Sequence, residues 1–285
     1  MQLMRTMTLI LIAVALAMPA FADCARVSTD GQSIWLEEGV NRRLVSTDPN
    51  GVLLPSWFGD RIAYARERVD GSGILRTEIV VLKENGDIVR VISVPEDAPV
   101  NGVMQLGWRD SKRVFIEAHV NPATTLFLAW SVGSGDLDDE RAGSRFAVSP
   151  NGRSVAQRQH VPLGAPVEFD SAVLEVDGAA VYPATDDGQH HRFLTSPVWA
   201  HNSHRLALIE EVAGEIWLVT VSLNGNHVKT TRLPLSLTGV DPRVSWSGGA
   251  HVIVRTEDEA LRIHPESGKI DAPKPGEGDS DDCSK

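Results

Sequence analysis

Five stretches of the chain share one layout, and that repetition constrains the fold more than any single motif. They are PSWFGDRIAYARE from Pro55, LGWRDSKRVFIEAH from Leu106, FAVSPNGRSVAQRQ from Phe146, PVWAHNSHRLAL from Pro197 and VSWSGGAHVIVRTE from Val244. Each sets an anchor residue before a short polar turn and then an alternating apolar strand. The anchors are Trp57, Trp108, Val148, Trp199 and Trp246, so four of the seven tryptophans occupy one position of the repeat. Successive anchors stand 51, 40, 51 and 47 residues apart, the length of a four-stranded unit with variable loops. A sixth, fainter copy, VSTDGQSIWLEEG from Val27, matches VSPNGRSVAQ from Val148.

Behind each anchor unit come further extended segments joined at Gly86, Gly135, Gly178 and Gly225. Asn85-Gly86, Asp177-Gly178 and Asn224-Gly225 predict tight turns, because both residue types tolerate positive φ. No amphipathic helical period of useful length follows residue 22, and apolar residues at period two predict an all-β chain. The units FAVSPNGRSVA and PVWAHNSHRLAL resemble the repeat of TolB-like β-propellers, an anchor followed by Ser-Pro-Asp-Gly or a degenerate turn and an apolar strand. The resemblance covers nearly all of residues 27–270, and Ser149-Pro150-Asn151-Gly152 comes nearest the full pattern. It implies a β-propeller of four-stranded blades around a central channel, with the ring closed near the termini. Six blades follow from the anchor count. Five blades with an extra N-terminal closing strand is the alternative.

The ends carry different information. Arg5 precedes an apolar run from Met7 to Met18, Pro19 breaks it, and Ala20-Phe21-Ala22 supplies a small-x-small pattern. Residues 1–22 therefore read as a secretory signal peptide, residues 23–270 as the propeller, and residues 271–285 as an acidic, Pro/Gly-rich tail. The apolar run is shorter than the roughly 20 residues a spanning helix needs, so no membrane span is expected after cleavage. The mature chain is expected in the periplasm or outside the cell. Export would place Cys24 and Cys283, the two cysteines, where disulfides persist. They predict a single bridge joining the two ends, at the seam where a propeller must close. The alternative is two unrelated thiols.

A net charge of −11 without any basic run argues against nucleic acid or an anionic membrane surface as a partner. His201 and His204 fall in the polar turn of their repeat copy, which predicts solvated turn residues rather than ligands. The segment ATDDGQHHRF gathers Asp186, Asp187, His190 and His191 in a connector between repeat units. Two carboxylates and two imidazoles this close form a candidate divalent-metal set, with an ordinary polar loop as the alternative. Other charged connectors, Glu96-Asp97, Asp138 to Arg141, and Asp241 with Arg243, predict an acidic channel rim suited to a cation or a basic protein segment. Arg141 and Arg243 complete the candidate binding residues.

No Gly-x-Ser-x-Gly nucleophile motif, phosphate loop or His-Glu-x-x-His helix occurs in the chain. The expectation is an exported, non-catalytic, monomeric propeller that binds a protein or peptide of the cell envelope, as the TolB-like resemblance implies, with no cofactor. The alternative is a metal-dependent, lactonase-like hydrolase with its site at the channel mouth.

Overall fold

Every regular element among the described residues is a β-strand, as the period-two alternation predicts. The computed structural model describes residues 26–121, 124–159, 172–183, 187–225, 227–234 and 242–274. Cys24 and Cys283 lie outside them, so the predicted bridge does too, as do the signal segment and most of the tail.

Antiparallel pairing divides the chain into successive arrays. The first holds β1 (Arg26–Thr29), β2 (Ser33–Glu38) and β3 (Asn41–Thr47). The second holds β4 (Leu53–Phe58), β5 (Arg61–Val69), β6 (Leu75–Lys83) and β7 (Ile88–Ser93). The third runs from β8 (Val103–Asp110) through β9 (Arg113–Asn121) and β10 (Thr124–Ser131) to β11 (Leu137–Val148). β11 serves two arrays: its first half pairs with β10, its second with β12 (Val155–Arg158). β13 (Leu174–Val176) and β14 (Ala179–Tyr182) finish the fourth. In the fifth, β15 (His191–Phe193) and β16 (Val198–Trp199) share one edge of β17 (Arg205–Val212), followed by β18 (Glu215–Ser222) and β19 (His227–Arg232). The last is β20 (Arg243–Ser247), β21 (His251–Arg255), β22 (Ala260–Ile263) and β23 (Ile270–Asp271).

A separate apolar core fills each gap between neighbouring arrays. Ile34, Ile62 and Val80 join the first to the second, and Ile79, Val81, Ile116 and Leu128 join the second to the third. Phe115, Phe127, Phe146 and Val155 fill the next gap, Leu174 meets Leu206 and Leu208 in the one after, and Ile209 meets Val252 and Val254 in the last. Both faces of these strands are thus buried between sheets, which is why their apolar residues run together. This face-to-face succession is a β-propeller.

The anchor tryptophans tie the inner strands to one another. Trp108 Nε1 donates to Ser56 O at 3.2 Å, Trp199 Nε1 to Ala147 O at 2.9 Å, and Trp246 Nε1 to Val198 O at 3.0 Å. Each acceptor is the residue immediately before the anchor of the preceding array. Val148 has no indole to donate. Its array is held instead through the Ser149-Pro150-Asn151-Gly152 turn, where Asn151 N donates to Ser203 Oγ at 3.1 Å and Arg109 Nε to Gly152 O at 2.9 Å. Gly152 has φ +70°, and a Cβ there would lie 1.9 Å from Arg109 O, so no other residue fits.

The first array corrects one expectation. The stretch from Val27 matches the Val148 unit in sequence but occupies a different place. Only five residues separate the end of β3 from the start of β4, so β3 ends where every inner strand begins. Asp48 N donates to Gln32 O and Val52 N to Gly31 O, which sets the β1–β2 turn at that same end. β1 therefore runs opposite to the inner strands β4, β8 and β16. It stands in second-strand position, and β3 in outer-strand position. The turn is built locally, with Asp30 Oδ1 accepting from Gln32 N and Ser33 N, and would look alike whichever strand pair it joined.

Candidate functional site

The inner strands of the second to fifth arrays surround a cavity of about 540 Å³. Trp57 and Phe58 line it from β4, Trp108 from β8, Phe146 from β11 and Trp199 from β16. His201 lies in the turn that follows. That turn is built as the sequence predicts, with His204 N donating to Asn202 Oδ1 at 3.0 Å. The wall is largely aromatic, and Arg109 is its one charged side chain among the lining residues.

The strands kink as they enter the channel. Register shifts fall between Leu53 and Ser56 in β4, between Val103 and Gln105 in β8, and between Ser144 and Ala147 in β11. Leu54 and Arg145, each three residues before its anchor, have φ of 49° and 55°. Left-handed backbone at a bulge re-aims a side chain, and non-glycine residues adopt it at a cost. Leu54 is 38% exposed and Met104 55% exposed. Above them the β5–β6 hairpin carries Val69, Ile74 and Leu75, all more than half exposed. Ala65 pairs with Leu53 and Val69 with Leu75, so the tip stands about 13 Å beyond the mouth at 3.3 Å per residue.

Two buried polar networks flank this mouth. In the second array Tyr64 Oη and Arg66 Nη1 each donate to Asp48 Oδ2 at 2.7 Å, and Arg66 Nη2 lies 2.6 Å from Glu78 Oε2. Burial alone would raise the Asp48 carboxyl, but hydrogen bonds from Arg66, Tyr64 and Asn50 outweigh it and hold it at about 2. Burial, and then the bond to Asp48, push the Tyr64 phenol far above its usual range.

In the fifth array His191 Nδ1 lies 2.8 Å from Glu210 Oε2 and its Nε2 3.1 Å from Asp187 Oδ2. Tyr182 Oη donates to Glu210 Oε1. Glu210 is 1% exposed. Burial and then the Glu210 bond raise the Tyr182 phenol. Asp187 is lowered chiefly by the Gln189 backbone N–H.

The predicted site residues separate. Asp187 and His191 come together, whereas His190 is exposed and joins neither carboxylate. Asp186 and Asp241 lie outside the described residues. Arg141 is not a connector residue but sits in β11, where it binds Asp139 and, at 3.2 Å, Asp177. Arg109 Nη1 also reaches Asp139, at 2.6 Å. β11 has polar side chains because it is an outer strand at that point, and of its acids Asp139 is held between Arg109 and Arg141 while Asp138 and Glu140 are exposed. Arg243 opens β20, opposite Arg255. Among the described residues no group of three or more His, Cys, Asp or Glu side chains is placed to hold a metal ion. Glu210, Tyr182, Asp48 and Arg66 were missed. An acid pair inside the apolar run RLALIEEV was the available signal for Glu210, and Leu54 offered none.

No family model matches the chain, and no curated protein matches it in sequence. Solved structures share its fold. Puromycin hydrolase superposes with a TM-score of 0.57 at 15% identity, over 87% of this chain and 42% of that one. The β-propeller domain of the Trilobed protease from Pyrococcus furiosus gives 0.51 at 16%, over 87% and 79%. TolB from Acinetobacter baumannii gives 0.46 at 15%, over 86% of this chain and 62% of that one, a likeness too loose to add to the assignment. This chain thus spans less than two thirds of the TolB chain and under half of the hydrolase. What these neighbours share with it is the propeller.

Proposed function

We propose that the chain is an exported, non-catalytic propeller that holds a protein or peptide partner of the cell envelope at its channel mouth. The observation that carries this reading is the apolar rim formed by Leu54, Val69, Ile74, Leu75 and Met104. A chain with a net charge of −11 that keeps these side chains in water, at one end of one channel, has the surface of a recognition site. The rigid sheets behind the rim supply the preorganised backing that binding loops require. The partner that fits is an apolar-faced segment, entering toward the aromatic wall of the cavity. The leader-like residues 1–22 support export to the periplasm or beyond.

Cross-linking capture from the cell envelope tests the proposal. Wild-type chain should recover a reproducible partner that Ile74→Asp/Leu75→Asp loses and Val228→Asp, an outer-strand control, retains. Equal recovery by all three proteins would remove the rim from the function, and recovery of nothing would remove the binding role.

A further inference from the structure

We propose that the outer edge of β7 pairs with β7 of a second copy of this chain, joining two propellers through one continuous antiparallel sheet. This goes beyond partner binding at the channel mouth, and it replaces the monomer expected from the sequence. An edge strand presents a row of backbone groups that another extended chain can pair with, and proteins protect such edges with charges or keep them short. Most outer strands here follow that rule. β3 carries Arg42 and Arg43, the outer half of β11 carries Asp138 to Arg141, and β19 carries Lys229 and Arg232. β14 and β23 are 4 and 2 residues long.

β7 is the exception. Its sequence is IVRVIS, and Ile88, Val89 and Val91 all stand exposed. No other outer strand among the described residues exposes more than one large apolar side chain. The one charge of β7 is drawn onto the third array, where Arg90 Nε donates to Val132 O at 3.2 Å and Nη2 to Gly133 O. Among the described residues β7 pairs only with β6. Val94 N donates to Thr77 O on β6. Backbone direction alternates along a strand, so Ser93 and Val91 turn their N–H and C=O groups to the open side.

A second copy satisfies this edge in register, side chains and charge. A two-fold axis at Val91 lets Val91 exchange both backbone hydrogen bonds with Val91 of the second copy, the isologous contact of a two-fold dimer. The two side chains then cover each other. In that register Arg90 lies opposite Ile92 of the second copy, so no like charges meet. The ends of the strand are complementary as well. Arg76 Nη2 lies 2.9 Å from Glu96 Oε1, which keeps the chain beyond Ser93 beside β6. Antiparallel pairing therefore carries the exposed Glu96 and Asp97 of each copy toward the exposed Lys83 of the other. Asp87, at the same end as Lys83, is already held by Asn85 Nδ2 at 2.9 Å.

Sedimentation equilibrium of the full chain over a concentration series tests this. The expected result is twice the chain mass. Val91→Lys should raise the dimer dissociation constant about tenfold or more, because two lysines then meet across the axis. Val228→Lys, on outer strand β19, should leave it unchanged. Cross-linking gives a second readout that stands even if Val91→Lys misfolds. In a Cys24→Ser/Cys283→Ser chain, Val91→Cys should form a covalent dimer under a mild thiol oxidant, since paired strands hold the two Cα atoms about 5.5 Å apart, within disulfide reach. Val228→Cys should not. A monomer at every concentration would overturn the inference, and so would a dimer that Val91→Lys leaves intact. Loss of the envelope partner by Val91→Lys in a monomeric chain would overturn it too, by giving the edge to that partner. The capture experiment at the channel mouth reads other residues, so either proposal can fail without the other.

Discussion

Arg66 in the second array and Glu210 in the fifth occupy one structural slot with opposite charge. Each is the fourth residue after the one paired with the anchor tryptophan: Ile62 faces Trp57, and Leu206 faces Trp199. Each is bonded to a group that precedes the inner strand. In one array the slot cation meets two carboxylates, Asp48 and Glu78, under a tyrosine hydroxyl. In the other the slot carboxylate meets an imidazole and a tyrosine hydroxyl, and the imidazole passes the contact on to Asp187. These two arrays place a satisfied polar joint at this height with opposite charge, whereas in the third array, where Val114 faces Trp108, the same slot holds Ala118, packed in the apolar core. What differs is where each joint meets water: Arg66 and Glu78 are 14% and 13% exposed, whereas His191 and Glu210 are 4% and 1% exposed and Asp187, at 38%, carries the contact outward.

Breaking the two joints should show that difference, with the arginine joint the costlier. Arg66→Ala leaves Asp48 and Glu78 facing each other with their shared cation gone. It should destabilise by about 3–5 kcal/mol, as loss of one partner of a buried ion pair does. Glu210→Ala leaves a tyrosine hydroxyl and an imidazole N–H without their acceptor, at about 1–3 kcal/mol for each orphaned group after local relaxation. Urea unfolding of both variants checks the order. If Glu210→Ala proves neutral, the histidine joint is a surface contact in all but geometry.

Acid should sharpen the same contrast. The Asp48 carboxyl lies at about 2 in the folded chain against an ordinary 3.8. A carboxyl lowered on folding contributes stability that is present above its unfolded value and lost as pH falls through the folded one. The contribution, about 2 kcal/mol by linkage, should fade between roughly pH 4 and pH 2. Asp48→Asn should remove that part of the acid dependence, and an unchanged stability-against-pH curve would mean the joint is not what holds the carboxyl ionised.

How much of this was legible from sequence follows from where each bond partner comes from. The anchors were readable because a tryptophan at a fixed place donates to a backbone carbonyl, and every sequence supplies one. Only the donor has to be encoded, so only the donor recurs. The slot was hidden for the converse reason. Its partners come from side chains 12 to 28 residues away, and they change with the sign of the slot residue. Asp187 and His191 were found together because they are four residues apart, but the fourth member of that network sits on another strand. Val27 misled because a tight turn is specified by its own residues, here Asp30 and its neighbours, and not by which strands it joins. Leu54 could not be found at all: its left-handed conformation comes from a register slip against β5, not from any preference of leucine.

The smallest expected effect tests the anchors themselves. Trp199→Phe keeps an aromatic ring between the fourth and fifth arrays and removes one N–H donated to Ala147 O. The loss should be about 1 kcal/mol, the net worth of a buried neutral hydrogen bond, plus whatever the smaller ring forfeits in packing. Trp57→Phe removes a bond to the part-exposed side chain of Glu84. Water can replace the indole there, so the loss should be smaller in the same urea titration. That ordering separates the two roles an anchor tryptophan can have. If packing dominates, both variants fall by similar amounts, because both give up the same ring volume. If the latch to the neighbouring strand dominates, Trp199 falls further, and the repeat is then a record of which blades hold the next one by its backbone.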